Sequence, residues 1–308
     1  MGEDLLETEK GRMQYAPTKT ETTIEAGVEA KLVLTIPCKK EFFYEVKKTE
    51  NYMTIFFYDK TFDGLLSAVF DAYTLKMFPE KLLSTGTVPP MFIDTTHTVA
   101  TQEEHARRVW QGLQKKLAKK VCNMLMHVWL SELEGSDDLL FRYICKTFAT
   151  NQKFELNFGD ADVLEVQRIA RKVAHEAHYL LQFVRFQKAA DDIFFAPVKP
   201  IFNALPLAIR HFTDRFADQQ WVIFDLRRHY GYYYDLHTTQ EITFTDDDHL
   251  LSGKLDESLM AEDEKLFQDL WKGYFKAMTI KERINPRLHK KNMPVRFWQL
   301  LTEKQPNG

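Results

Sequence analysis

His175 and His178 stand three residues apart, with Glu176 between them, in a stretch of helical spacing, so both imidazoles fall on neighbouring positions of one face. Two histidines and a glutamate can ligate a metal or move a proton. A zincin site, however, needs histidines four apart, a glutamate directly after the first, and a third ligand beyond. The spacing here argues for histidines held by hydrogen bonds, and no metal is expected. Arg185 lies among aromatic residues in Phe183-Val184-Arg185-Phe186, where strand alternation puts it on the face of Phe183. A guanidinium there needs an anion. Asp225, at the end of another strand of the same unit, is the expected partner, as a buried brace or as half of a ligand clamp. His175, Glu176, His178, Arg185 and Asp225 are therefore the candidate catalytic set of a hydrolase, a nuclease or glycosylase-like enzyme, if they converge in one pocket.

A second group of residues offers positive charge. Arg227, Arg228 and His229 form a basic hairpin tip, a solvated turn in its simplest reading and a phosphate contact in the other. Near the C-terminus, Lys281, Arg283, Arg287, Lys290, Lys291 and Arg296 face only Glu282, and Phe297-Trp298 follow. Cations beside rings suit single strands or unstacked bases, where rings stack and cations track phosphates. Asn285-Pro286 and Met293-Pro294 are turn formers, and Phe297-Trp298-Leu300-Leu301 also fits a last packed helix. Arg228, Arg283, Arg287, Lys290, Lys291 and Arg296 are the candidate DNA-binding residues. Lys115, Lys116, Lys119 and Lys120 also share one or two helix faces, which reads first as a solvated surface.

Several chemistries lack their residues. The chain has no Walker-type glycine loop, no Gly-x-Gly-x-x-Gly and no Gly-x-Ser-x-Gly elbow. Cys38, Cys122 and Cys145 are too widely spaced for a zinc or cluster motif, and an odd count does not suggest a disulfide framework. No cofactor motif is evident. A net charge of −3 over 308 residues restricts any nucleic-acid contact to local patches. No apolar run approaches a membrane span and the charged start is no secretory signal, so a protein of a reducing cytoplasm, away from membranes, is expected.

The elements that must position these residues lie between Val163 and Asp235. Apolar spacing predicts a helix from Val163 to Leu181, capped by Asp160 or Asp162. Phe183–Phe186 and Ile193–Phe195 read as a strand pair, Ile201–Phe216 as a second helix, and Trp221–Phe224 with Tyr230–Tyr234 as a hairpin. Upstream, Met53–Tyr58 reads as a strand and Thr61 caps a helix running to about Lys76. Ser84–Pro90 reads as a breaker. Thr101 with Glu104 has the form of a capping box ahead of helices that reach Leu130, and a further helix covers Leu139–Phe148. Downstream of an acidic connector, a helix from about Glu257 to Met278 is expected to bury Leu266-Phe267, Leu270-Trp271, Tyr274-Phe275 and Met278. Four regions follow: an extension, 1–50; a helical block with a short strand, 51–150; a core of alternating helices and strand pairs, 151–237; and a connector, long helix and basic segment, 238–308, packing back on the helical block. The expected fold is α+β, with antiparallel strand pairs forming a small sheet braced by a mainly helical block from both ends of the chain.

These patches also carry a resemblance. His175-Glu176-Ala177-His178, Phe183-Val184-Arg185-Phe186, His211-Phe212-Thr213-Asp214-Arg215-Phe216 and Trp221-Val222-Ile223-Phe224-Asp225-Leu226-Arg227-Arg228 are similar to the signature of the "probable DNA metabolism protein" family. So are Tyr58-Asp59-Lys60-Thr61-Phe62-Asp63-Gly64-Leu65-Leu66, Ile280–Leu288 and Met293–Trp298, in the same order along the chain. The resemblance implies a role in DNA repair or modification beside a radical-SAM protein, and kinship with a domain fused to uracil-DNA-glycosylase-like domains. Tyr179 stands where the family pattern has an arginine, so no phosphate-binding role carries over to that position. The radical-SAM cluster motif is missing, which assigns that chemistry to the partner. The expectation is a DNA-binding accessory protein, with a stand-alone hydrolase and a protein-interaction scaffold as alternatives.

Overall fold

The structure is a computed structural model and describes residues 53–150, 153–243 and 259–305. The expectation for residues 1–50 and most of the acidic connector lie outside them.

Thr54–Tyr58 forms β1, whose Ile55, Phe56 and Tyr58 are buried. The next helix, α1 (Phe62–Leu75), starts where predicted: the Thr61 hydroxyl accepts from the Gly64 amide at 2.9 Å. Asp59 fixes that cap, taking the Thr61 amide and hydroxyl at 3.0 and 2.6 Å and the Thr101 hydroxyl at 2.8 Å. Thr101 is thereby committed, so the expected capping box does not form. Helix α2 (Glu103–Lys116) instead begins after Gln102, whose amide donates to the Ser67 hydroxyl. Helices α3 (Lys119–Trp129) and α4 (Ser136–Ala149) complete the block. Lys116 donates to the carbonyls of Thr147, Phe148 and Thr150, so this cation satisfies the C-terminus of α4.

Two strands were missed. Lys81–Ser84 (β2) and Thr95–Thr98 (β3) flank β1 in the order β2-β1-β3, and both pair with it in parallel. β2 is only four residues long and runs into the breaker, while β3 is a run of threonines and histidine without apolar alternation. Neither shows the period of a half-buried strand.

The longest described helix, α5 (Ala161–Phe183), is capped by Asp160. It spans two cores. Val163, Val166, Ile169, Ala170 and Val173 close the core of the helical block, and Leu180 enters that of a second sheet. That sheet has the order β4 (Gln187–Lys188), β5 (Phe194–Val198), β6 (Trp221–Asp225), β7 (Tyr230–Tyr234) and β8 (Thr239–Ile242). Its pairs are antiparallel except β5–β6, which the crossover helix α6 (Leu205–Arg215) makes parallel. Ala196, Val198, Trp221, Ile223 and Tyr234 pack toward α5 and α6, whereas Phe195, Val222 and Phe224 face the other way.

The fold is thus mixed α and β with two small sheets, and the antiparallel expectation holds only for most of the second. The expected strand at Phe183–Phe186 is displaced, because α5 continues to Phe183 and pairing starts at Gln187.

Helix α7 (Glu264–Ala277) is anchored at its start, where the buried Glu264 accepts from the Lys188 amide at 2.9 Å. The side chains expected to be buried are not. Leu266, Phe267, Leu270, Trp271, Tyr274 and Met278 are 40–64% exposed, and the helix packs mainly on the turn at Thr302–Lys304. Periodicity marks an apolar face but not the surface that covers it. A short helix, α8 (Pro286–Asn292), is capped by Asn285 and leads to Val295–Leu300, which turns back across α5.

Candidate nucleic-acid interface

Of the five residues of the candidate catalytic set, Glu176, Arg185 and Asp225 are held in three different ion pairs, and the two histidines lie outside all of them. Glu176 is the one polar residue on the buried side of α5 beyond Val173. Its carboxylate accepts from the Ile201 amide at 2.8 Å and meets both terminal nitrogens of Arg296, the first at 2.6 Å. Such a bidentate pair satisfies a buried carboxylate that would otherwise be costly. His175 and His178, less than one turn apart on the outer side, are exposed. His178 makes its ring contact with the Gln182 side chain at 2.8 Å.

Arg185 does not meet Asp225. It caps α5 by donating to the carbonyls of Gln182 and Val184, and reaches Glu303 at 2.7 Å. Glu303 is buried and also accepts from the Trp271 indole at 2.9 Å. Burial alone would raise its pKa, but the Arg185 and Trp271 bonds outweigh burial and hold it below the ordinary glutamate range. The partner of Arg185 lies 118 residues away in a short turn, where no periodicity signals it.

Asp225 instead holds the hairpin tip. Fully buried, it accepts from the Arg227 amide at 2.8 Å and from the Arg228 guanidinium at 2.9 Å. Arg228 also pairs with Glu132 and donates to the Ile201 carbonyl, and Arg227 donates to the same carbonyl. Burial pulls the Arg228 pKa down, but Glu132 and Asp225 hold it above the ordinary value. Through Ile201, whose amide goes to Glu176, the two arrangements form one continuous network between helical block, sheet and C-terminal segment.

The remaining cations are placed differently. Arg283, Arg287, Lys290 and Lys291 are exposed and form no ion pair among the described residues. They lead directly into Arg296, whose guanidinium lies 4.1 Å from the Phe297 ring and 5.6 Å from that of Tyr179. Lys304 lies over the Trp298 and Phe275 rings, at 5.2 and 4.9 Å. His289 sits beside Trp298, its Nε2 buried without a partner, and burial with the Lys304 charge lowers its pKa. A shallow crevice opens here, lined by Tyr179, Phe183, Pro197, Lys199, Phe297 and Leu300. No group of three or more His, Cys, Asp or Glu residues among the described residues is arranged to hold a metal.

Sequence comparison covers most of these contacts, with Glu132 and Lys304 outside the matched residues. A family model described as a domain of unknown function, DUF4130, matches residues 134–303. The chain belongs to the DUF4130 family. The matched DUF4130 region contains both partners of the Glu176–Arg296, Arg185–Glu303 and Asp225–Arg228 pairs and ends on Glu303 itself. No curated protein matches the chain. A solved structure of a pGpG-specific phosphodiesterase, PggH from Vibrio cholerae, is similar over 59% of this chain and 81% of its own, at 12% identity and a TM-score of 0.27. No described helix is long and apolar enough to cross a membrane.

Proposed function

We propose that this protein is a DNA-contacting accessory factor of DNA repair or modification, acting beside a radical-SAM partner that supplies the chemistry. The process and the partner come from the family resemblance. The observation that carries the DNA contact is the exposure of Arg283, Arg287, Lys290 and Lys291 without a carboxylate partner among the described residues. Exposed cations in sequence with the partly exposed Trp298 ring meet what a phosphate backbone needs. Arg228 and Arg296, candidates of the same kind by sequence, are committed to Asp225, Glu132 and Glu176, and their part in this reading is to hold the surface in shape.

Fluorescence-anisotropy binding to DNA across a salt titration tests it. Arg287→Ala with Lys290→Ala should weaken binding and lower the salt slope by about 1.4–1.8, at roughly 0.7–0.9 per lost phosphate contact. Affinity and slope unchanged in that variant would sink the reading.

The scaffold reading has its own support in α7. The exposed stripe of Leu266, Phe267, Leu270, Trp271, Tyr274 and Met278 is the kind of contiguous apolar face that marks a protein contact. The stand-alone hydrolase has less, because Glu176, Arg185 and Asp225 are each held in a different ion pair.

A further inference from the structure

The solvent face of α5 carries Arg168, Arg171, Lys172, His175 and His178, all exposed. Arg168 is neutralised by Glu165. From Val166 to Phe183 the helix has only one further carboxylate, Glu176, and that one is buried against Arg296. The outward positions over this length therefore bear cations and imidazoles and no free acid.

On the same helix three rings form a column. His175 stacks on Tyr179 with centroids 4.4 Å apart and planes 27° from parallel, and Tyr179 stacks on Phe183 at 5.7 Å and 25°. The spacing of four residues lays them one above another along the helix. Phe297 closes the inner side of the column at 5.4 Å from Tyr179 and 5.1 Å from Phe183. The Arg296 guanidinium lies beside it, fixed in place by Glu176. The other end is open, because His175 is exposed and no ring covers it among the described residues.

We infer that this face of α5 is a binding track for single-stranded nucleic acid, with an unpaired base continuing the column on His175 and with Arg171 and Lys172, one turn earlier, taking the flanking phosphates. The inference rests on the DNA-contact reading and specifies the strandedness of its ligand. An intact duplex keeps its base faces inside its own stack, and a ring column on a convex helix cannot reach them. Only an unpaired base offers a free π face, and stacking on one tolerates any sequence. The C-terminal segment that bears Arg283, Arg287, Lys290 and Lys291 is seated on this column through Phe297.

The test is anisotropy binding of labelled oligothymidylate and of a duplex of equal length to the full chain. The wild-type protein should bind the single strand more tightly. His175→Ala changes an exposed side chain and should keep the wild-type melting temperature. It should weaken single-strand binding about tenfold, within the range for losing one base–ring stack, and leave duplex binding unchanged. Arg171→Ala with Lys172→Ala should lower the single-strand salt slope by about 1.4. Single-strand affinity unchanged in His175→Ala, or a wild-type preference for the duplex, would overturn the inference even if Arg287→Ala still weakened binding. Absence of binding to either DNA by the wild-type protein would overturn this inference and the DNA-contact reading together.

Discussion

Arg296 closes on Glu176 across 120 residues of chain, with Nη1 2.6 Å from Oε1. Glu176 is almost fully buried while the arginine is partly exposed. The pair joins the C-terminal segment to the middle of α5, and the same carboxylate oxygen also takes the Ile201 amide. One buried acid thus ties together α5, the loop before α6 and the C-terminal segment.

Replacing Arg296 with Met should leave that acid buried without its counter-charge. Loss of one partner of such a pair costs about 3–5 kcal/mol when both are deeply buried, and about 2–3 kcal/mol is expected here because Arg296 reaches solvent. Urea unfolding followed by far-UV circular dichroism measures it. A midpoint equal to that of the wild type would show that the pair contributes nothing to the fold.

Arg228 and Arg287 should separate by phenotype. Arg228→Ala strips the fully buried Asp225 of its guanidinium and should cost about 2–4 kcal/mol, lowering Tm by about 5–12 °C. Arg287→Ala should leave Tm within about 1 °C, since an exposed surface substitution costs within about 0.5 kcal/mol. Calorimetry of the two variants side by side decides this, and equal Tm losses would contradict the division of the cations into braces and free groups.

Gly231 sits opposite Phe224 in the β6–β7 register. A Cβ there would lie 2.4 Å from the Ile223 carbonyl oxygen and 2.9 Å from the Phe224 Cα, and neither is a flexible side-chain end. Gly231→Ala should therefore destabilise by about 2–4 kcal/mol through forced backbone displacement in the middle of the second sheet. Thermal unfolding of soluble Gly231→Ala at the wild-type Tm would refute it.

Glu303 gives the fold an acid dependence. Its pKa is lower folded than unfolded, so the folded state binds fewer protons and the stabilisation is present above the ordinary glutamate value, then lost as pH falls through the lowered one. Wild-type protein should exceed Glu303→Gln in stability at pH 7, and the difference should shrink below about pH 4. Urea midpoints at a series of pH values test it, and a difference that stays constant down to pH 3 would rule this group out.

Local order was legible in the sequence because its causes are local. Thr61 and Asp160 announce their helices by side-chain caps within three residues, and the β6–β7 hairpin follows from two aromatic and β-branched runs around a short turn. The period of α5 and the cations of the C-terminal segment could be read directly as well. What the sequence left open was partnership. Arg185 had a plausible acid in Asp225, yet the chain folds Glu303 against it and gives Asp225 to Arg228, three residues on. Thr101 had the spacing of a cap and is spent on Asp59. The apolar period of α7 described a face correctly and its burial wrongly. Ion pairs and covered faces depend on which distant segments the topology brings together, and an amino-acid pattern of short range carries no term for that. Residue types therefore settled which groups were able to pair, bind or stack, and the tertiary structure alone decided which cations were spent on the fold and which were left facing solvent.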